Sequence, residues 1–129
     1  MDNKREELLR SLEFGQYLLE LRTEDKVSLA KLGVMLNVSA NYLSEIERGR
    51  KTPSDSLIRG IAKYFEVDED ILYRKLGRVP LAAVEELNDS PELQEVLSQI
   101  KKNPKLSEED RGRLYKQLRV AYNDMIGEG

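Results

Sequence analysis

One stretch of the sequence, residues 28–53, constrains the fold of this chain more than any other. Apolar residues recur at helical spacing on two short segments of this stretch, at Leu32, Leu36, Leu43 and Ile46. Asn37 lies between the segments, and Asn tolerates the left-handed backbone that a tight helix-helix turn requires. Ser39 can cap the second segment, because its hydroxyl can accept a hydrogen bond from a free backbone N–H. The pattern predicts two short helices joined by a tight turn.

The residues around this turn predict a helix-turn-helix motif. Gly33 has no side chain, so the second helix can approach the first one closely at this position. A basic turn, Arg50-Lys51-Thr52-Pro53, follows the second helix. Because the second helix of such a motif enters a major groove of DNA, the sequence predicts a DNA-binding protein.

The chain resembles the phage-repressor (Cro/repressor, or XRE) family of helix-turn-helix transcriptional regulators. The resemblance runs in register from near Ser11 to near Leu76. The positions that carry it are Leu21, Arg22, Ser28, Leu32, Gly33, Leu36, Val38, Ser39, Tyr42, Leu43, Ser44, Ile46, Glu47, Arg48, Gly49, Pro53, Leu57, Ala62, Lys63 and Val67. It implies an all-α fold, with a five-helix, lambda-repressor-like DNA-binding domain at residues 11–78 and the motif at about 28–48. A small C-terminal helical region, residues 79–129, would follow.

Helix signals continue on both sides of the motif. A first helix is expected over about Ser11 to Glu24, with an inner face of Leu12, Leu18, Leu19 and Leu21. An extra turn or two can precede it, because Leu8 and Leu9 continue the stripe. Helix starts are expected near Ser54, Asp68, Pro80, Ser90 and Ser107, where Ser, Asp or Pro precedes an apolar repeat. We find no strand pattern of convincing length.

Composition narrows the possible functions. The chain has no Cys and no His, which removes thiolate sites, the commonest zinc ligand and the commonest general base. No apolar run reaches the length of a membrane span, so we expect a cytoplasmic protein, associated with the nucleoid when bound to DNA. We expect no enzyme activity, no cofactor and no metal. The net charge of −3 is unusual for a DNA-binding protein, but the acidic excess lies toward the two ends of the chain.

The resemblance assigns the base-reading positions. Ala40, Asn41 and Glu45 fall where family members usually place base-reading side chains, and Ser44 lies on the same outward face of helix three (about 39–48). Asn can bind adenine through two hydrogen bonds, Glu can accept from cytosine, and Ala can contact the thymine methyl group.

Phosphate contacts are expected from the basic turn and from the start of helix two. The predicted residues are Ser28, Arg48, Arg50, Lys51 and Thr52, with Tyr42 either reaching a phosphate or packing at the helix edge. Leu29 departs from the family, which usually has Gln there, so backbone N–H groups are expected to replace that side chain. Arg22 and Glu47 resemble the buried ion pair that joins helix one to the end of helix three.

The C-terminal helices have apolar faces that must pack against another surface to be buried. The last helix has such a face at Leu114, Leu118, Tyr122 and Met125. These helices must pack on the DNA-binding domain, on each other or on a second copy. We expect a homodimer, because one domain of this type reads only half of a palindromic site. The expected protein is thus a dimeric repressor with a possible regulatory protein partner. The alternative is an antitoxin or anti-repressor-type protein-interaction module.

Overall fold

Helices account for all the regular secondary structure in a computed structural model of the chain, which describes residues 2–127. The all-α prediction is confirmed. In chain order, the helices are α1 (Asp2–Glu24), α2 (Leu29–Leu36), α3 (Ala40–Glu47), α4 (Asp55–Phe65), α5 (Glu69–Lys75), α6 (Leu81–Asp89), α7 (Pro91–Lys102) and α8 (Glu108–Met125).

Local capping explains where most of these helices begin. A serine hydroxyl accepts a hydrogen bond from a backbone N–H in the first turn of α2, α3, α4, α7 and α8, at Ser28, Ser39, Ser54, Ser90 and Ser107. Each such bond satisfies a donor that the helix itself leaves free. At Ser107 the arrangement is reciprocal, because the Asp110 carboxylate accepts from the Ser107 N–H at 3.1 Å. That backbone hydrogen bond is the main reason why the pKa of Asp110 is lowered.

The first helix differs from its prediction mainly in rotation. It begins at Asp2, so the extension before Ser11 is present, and its buried face carries Phe14 together with the predicted Leu18. Leu12, predicted to point inward, is 43% exposed, and its side chain lies over Gly49. The rotation follows from Gly15, where an added Cβ would collide with the last carbonyl groups of α3.

The chain divides into two compact units, with the boundary between Glu85 and Glu86. The first unit contains the entire buried apolar core of the described residues, to which α1 to α5 all contribute. Its buried members are Phe14, Leu18, Val27, Leu32, Leu43, Ile46, Leu57, Ile58, Ile61, Ala62, Leu72, Tyr73 and Leu76. Leu81, at the start of α6, packs against this core.

Polar contacts on α4 join it to the elements that follow. The buried Tyr73 donates its hydroxyl hydrogen to Asp55 at 2.9 Å, and burial is the main cause that raises the pKa of Tyr73 to about 12. Arg59 donates to Glu69 at 3.2 Å and to both carboxylate oxygens of Glu85, at 2.6 and 3.1 Å. These contacts connect α4 to α5 and to the first part of α6.

The second unit has helices without a buried core. No side chain between residues 86 and 127 is buried, and the apolar stripe of α7 is covered only in part, with Val96 43% exposed. On α8 the predicted contact residues are open to solvent, with Leu114 39%, Leu118 65%, Tyr122 53% and Met125 88% exposed.

Candidate nucleic-acid interface

The turn between α2 and α3 has the tight geometry that the sequence predicts. Asn37 adopts the left-handed conformation with φ 57°, and the Val38 N–H donates to the Gly33 carbonyl at 2.9 Å. A Cβ at Gly33 would lie 2.6 Å from the Val38 carbonyl oxygen, so only glycine allows this close approach. The Ser39 hydroxyl then accepts from the Tyr42 N–H at 3.0 Å and begins α3.

The inner face of α3 is fixed to the core. Leu43 and Ile46 are both 0% exposed. Fully burying two such side chains contributes about 1.5–3 kcal/mol each. Because this face is buried, the opposite face of the helix must point away from the core.

An ion pair holds the end of α3 against α1. Arg22 Nε and Nη2 donate to the two carboxylate oxygens of Glu47, at 2.7 and 3.0 Å. A third donor, Nη1, reaches the Val27 carbonyl at 3.1 Å. The two side chains are only 17% and 9% exposed, and the Glu47 hydrogen bonds are the main cause that raises the pKa of Arg22. The pair therefore holds the end of α3 against α1.

The predicted base-reading residues differ in how free their side chains are. Asn41 is exposed in the first turn of α3, next to the half-buried Ala40. Ser44 and Glu45 are engaged by Arg48, whose Nη2 lies 2.9 Å from the Ser44 hydroxyl oxygen and 3.5 Å from Glu45 Oε1. The Arg48 side chain is still 51% exposed. All four residues share the first two turns of one short helix.

The predicted phosphate contacts surround this face. Arg50, Lys51 and Thr52 are exposed in the loop after α3. Tyr42 packs partly against the core, and the Lys51 ammonium lies 5.9 Å from the centre of its ring, which is within cation–π range. Tyr42 is thus seated at the edge of α3 with a basic group above it.

At the start of α2 the serine hydroxyl caps the helix as an acceptor. Ser28 Oγ accepts from the Lys31 N–H at 3.0 Å, which leaves the hydroxyl hydrogen able to donate to an anion. Leu29, the departure from the family, packs partly against the core. At Leu29 an anion contact would have to come from the backbone N–H, as the sequence predicts.

Two basic residues outside the motif also approach the basic turn. Arg78 Nη1 donates to the Pro53 carbonyl at 3.1 Å, and Arg10 lines the same cavity as Thr52 and Arg78. The sequence gives no sign of these contacts, because Arg78 and Pro53 are 25 residues apart and no local rule links them.

Residues 13–72 match a protein family described as "Helix-turn-helix domain". These residues run from α1 through most of α5, and so include the complete α2–α3 motif. Residues 13–72 form a helix-turn-helix domain.

Relatives of this helix-turn-helix domain occur in two bacteria. An uncharacterised HTH-type transcriptional regulator of Mycobacterium tuberculosis is 30% identical over 76 residues, which cover 59% of this chain and 54% of the relative. The uncharacterised HTH-type transcriptional regulator RghRB of Bacillus subtilis is 32% identical over 80 residues, 61% of this chain and 57% of that protein. The chain spans about half the length of the curated relatives it matches.

Two solved structures resemble part of the chain. The restriction-modification controller protein C.AhdI from Aeromonas hydrophila is 28% identical, with a TM-score of 0.46, over 54% of this chain and 94% of C.AhdI. The clp gene regulator ClgR from Corynebacterium glutamicum is 29% identical, with a TM-score of 0.47, over 54% of this chain and 90% of ClgR. The assignment of the helix-turn-helix domain rests on the sequence match and the motif geometry.

Among the side chains that the structure describes, residues 3–127, no group of three or more carboxylates is arranged to hold a metal ion. Over the same residues, no helix is both long and apolar enough to cross a membrane.

Proposed function

We propose that this protein is a dimeric transcriptional repressor that binds a palindromic operator in double-stranded DNA. The observation that carries this proposal is the position of α3. Its inner face is buried at Leu43 and Ile46, its outer face presents the exposed Asn41, and the basic turn follows directly. A rigid helix with a polar outer face and adjacent cations is suited to the major groove.

Base reading is proposed for Ala40, Asn41, Ser44 and Glu45. Asn41 is free to form paired hydrogen bonds with adenine, whereas Glu45 must first separate from Arg48. Because the Arg48 side chain is half exposed, it can turn toward a phosphate as the helix docks. The Glu45 carboxylate would then be available to accept from the amino group of cytosine.

Dimerisation is proposed for the second unit, with a second copy of the chain as the covering partner. Leu114, Leu118, Tyr122 and Met125 are exposed on α8, and the unit has no buried core of its own. Half-site recognition requires a second reading helix about one turn of DNA away. Self-association through α8 would meet both needs.

The same exposed face favours a second candidate function, a protein-interaction module of the antitoxin or anti-repressor kind. In that case the apolar surface of α8 would bind a different protein, and the binding would depend little on salt. Binding to phosphates would instead weaken steeply as salt rises.

The test is selection of bound fragments from a random DNA pool, followed by a salt series on the selected duplex. We expect one palindromic consensus, and we expect Arg50→Ala and Lys51→Ala each to lower the salt slope by about one without changing that consensus. Binding with no selected consensus, or a salt slope near zero, would reject sequence-specific DNA binding.

A further inference from the structure

A cavity of about 330 Å³ lies in the first unit beside the basic turn. Three segments that are distant in sequence form it: the N-terminal half of α1, the loop after α3 and the residues that follow α5. Its polar lining consists of Glu7, Arg10, Ser11, Thr52 and Arg78, with Gly77 in the wall.

The cavity lining combines two guanidinium groups, those of Arg10 and Arg78, with one carboxylate, that of Glu7. Among the side chains of residues 3–127, no carboxylate lies within 4.0 Å of the Arg78 guanidinium, and Arg10 has Glu6 at 3.9 Å. An anion in the cavity would be attracted by both guanidinium groups. Glu7 opposes an anion.

The fold tethers Arg78 and leaves room for Arg10. Arg78 donates to the Pro53 carbonyl, which leaves its other N–H groups free to donate elsewhere. Gly77 has φ +67°, and a Cβ there would lie 2.6 Å from Arg10 Cζ. A glycine at this position therefore provides the space in which the Arg10 guanidinium rests.

The side chains that line the cavity carry hydrogen-bond donors suited to phosphate oxygens. Guanidinium groups form paired hydrogen bonds to phosphate oxygens, and the hydroxyl groups of Ser11 and Thr52 are further donors. Thr52 also belongs to the basic turn, so the cavity is continuous with the surface proposed to contact DNA. The cavity and the turn would then bind neighbouring phosphates.

We propose that this cavity binds a phosphate group through Arg10 and Arg78. The phosphate comes either from the DNA backbone beside the half-site or from a free phosphate compound. The first source rests on the proposed function, whereas the second does not. The experiment therefore has two arms that use the full-length protein.

The first arm measures the salt dependence of binding to the selected duplex. R10Q/R78Q is expected to lower the salt slope by about one relative to wild type, because the one phosphate bound in the cavity is lost. Arg74→Gln removes an exposed cation of α5 that does not line the cavity, and it should keep the wild-type slope. R10K/R78K should retain most of the slope, which separates loss of charge from damage to the fold.

The second arm titrates inorganic phosphate into the protein at constant ionic strength and follows the backbone amide resonances. Saturable shifts are expected at Ser11, Thr52 and Gly77 in the wild type but not in R10Q/R78Q. Glu7→Gln should tighten this binding several-fold, because it removes the opposing charge.

The outcomes separate the two phosphate sources and the two proposals. A lower slope in R10Q/R78Q assigns the phosphate to DNA, and phosphate-dependent shifts with an unchanged slope assign it to a free compound. An unchanged slope together with no saturable shifts overturns the cavity proposal while leaving DNA binding intact. If wild type and Arg74→Gln both bind no DNA, the proposed function fails, and the titration still decides the cavity proposal.

Discussion

The two units of this chain are both helical but have very different interiors. Ser39 caps α3 in the first unit and Ser107 caps α8 in the second with the same kind of hydrogen bond. Yet Leu43 on α3 is 0% exposed, whereas Leu118 on α8 is 65% exposed. The difference shows that capping and apolar spacing are enough to form a helix. Burial of its apolar side chains depends on whether other parts of the protein pack against them.

The first unit provides those surfaces itself. Five helices contribute buried apolar side chains to one core. The second unit has two long helices and no buried residue between 86 and 127, so its apolar surface remains available for association. The proposed division of labour follows: one unit reads DNA and the other brings two copies together.

The largest effect is expected from removing the second unit. A chain ending at Asp89 keeps all of α6, including the Leu81 and Glu85 contacts, and should remain folded. Losing the tail should reduce affinity for the full operator by about 10²–10⁴-fold, because the two half-sites are no longer linked. Sedimentation at the same micromolar concentration should find a dimer for the full chain and a monomer for the shortened one. Equal association states would show that the second unit does not mediate dimerisation.

A second large effect is expected within the first unit, at the ion pair of Arg22 and Glu47. Glu47→Met leaves the largely buried guanidinium unpaired and should lower the free energy of unfolding by about 3 kcal/mol. Urea unfolding measures this change. The matched control is R22M/E47M, which should recover much of the loss because no buried charge remains. A double variant as unstable as the single one would mean that packing, and not charge, holds α3 here.

The contrast in burial predicts opposite outcomes for two apolar truncations. Ile61→Ala, at a residue 0% exposed, should cost about 2–5 kcal/mol of unfolding free energy. Leu118→Ala should change the stability of the monomer by about 0.5 kcal/mol or less, since the side chain is already in solvent. It should instead weaken self-association in sedimentation. If Leu118→Ala left the dimer intact, α8 would not be the contact helix.

The smallest effect is expected on the reading face. Asn41→Ala and Glu45→Ala should each change discrimination at one base pair by about 1–3 kcal/mol while leaving thermal stability nearly unchanged. Repeating the selection with each variant measures the change. Two unchanged consensus sequences would place base reading elsewhere on the protein.

The sequence by itself determined the local structure of this protein. Ser39, Asn37 and Gly33 predict the tight turn and the start of α3, and the structure has them at their expected positions. These signals work because capping hydrogen bonds and left-handed turns involve residues within about five positions of each other. The same logic correctly predicted where α4, α5, α7 and α8 begin.

The ion pair of Arg22 and Glu47 could be predicted only from the family resemblance. The two residues are 25 positions apart, so no local rule links them. Only the resemblance to the phage-repressor family implied that they would meet. In the structure they do so through two hydrogen bonds, at 2.7 and 3.0 Å.

Only the tertiary structure decided the rotation of α1 and the contact between Arg78 and Pro53. The rotation of α1, which exposes Leu12 and buries Phe14, follows from the close contact of Gly15 with the end of α3. The approach of Arg78 to Pro53 depends on how α5 returns across the domain. Apolar spacing shows that a helix has an inner face. The exact rotation of the helix about its axis depends on packing against its partner helices, because the free energy of burial depends on which surfaces meet.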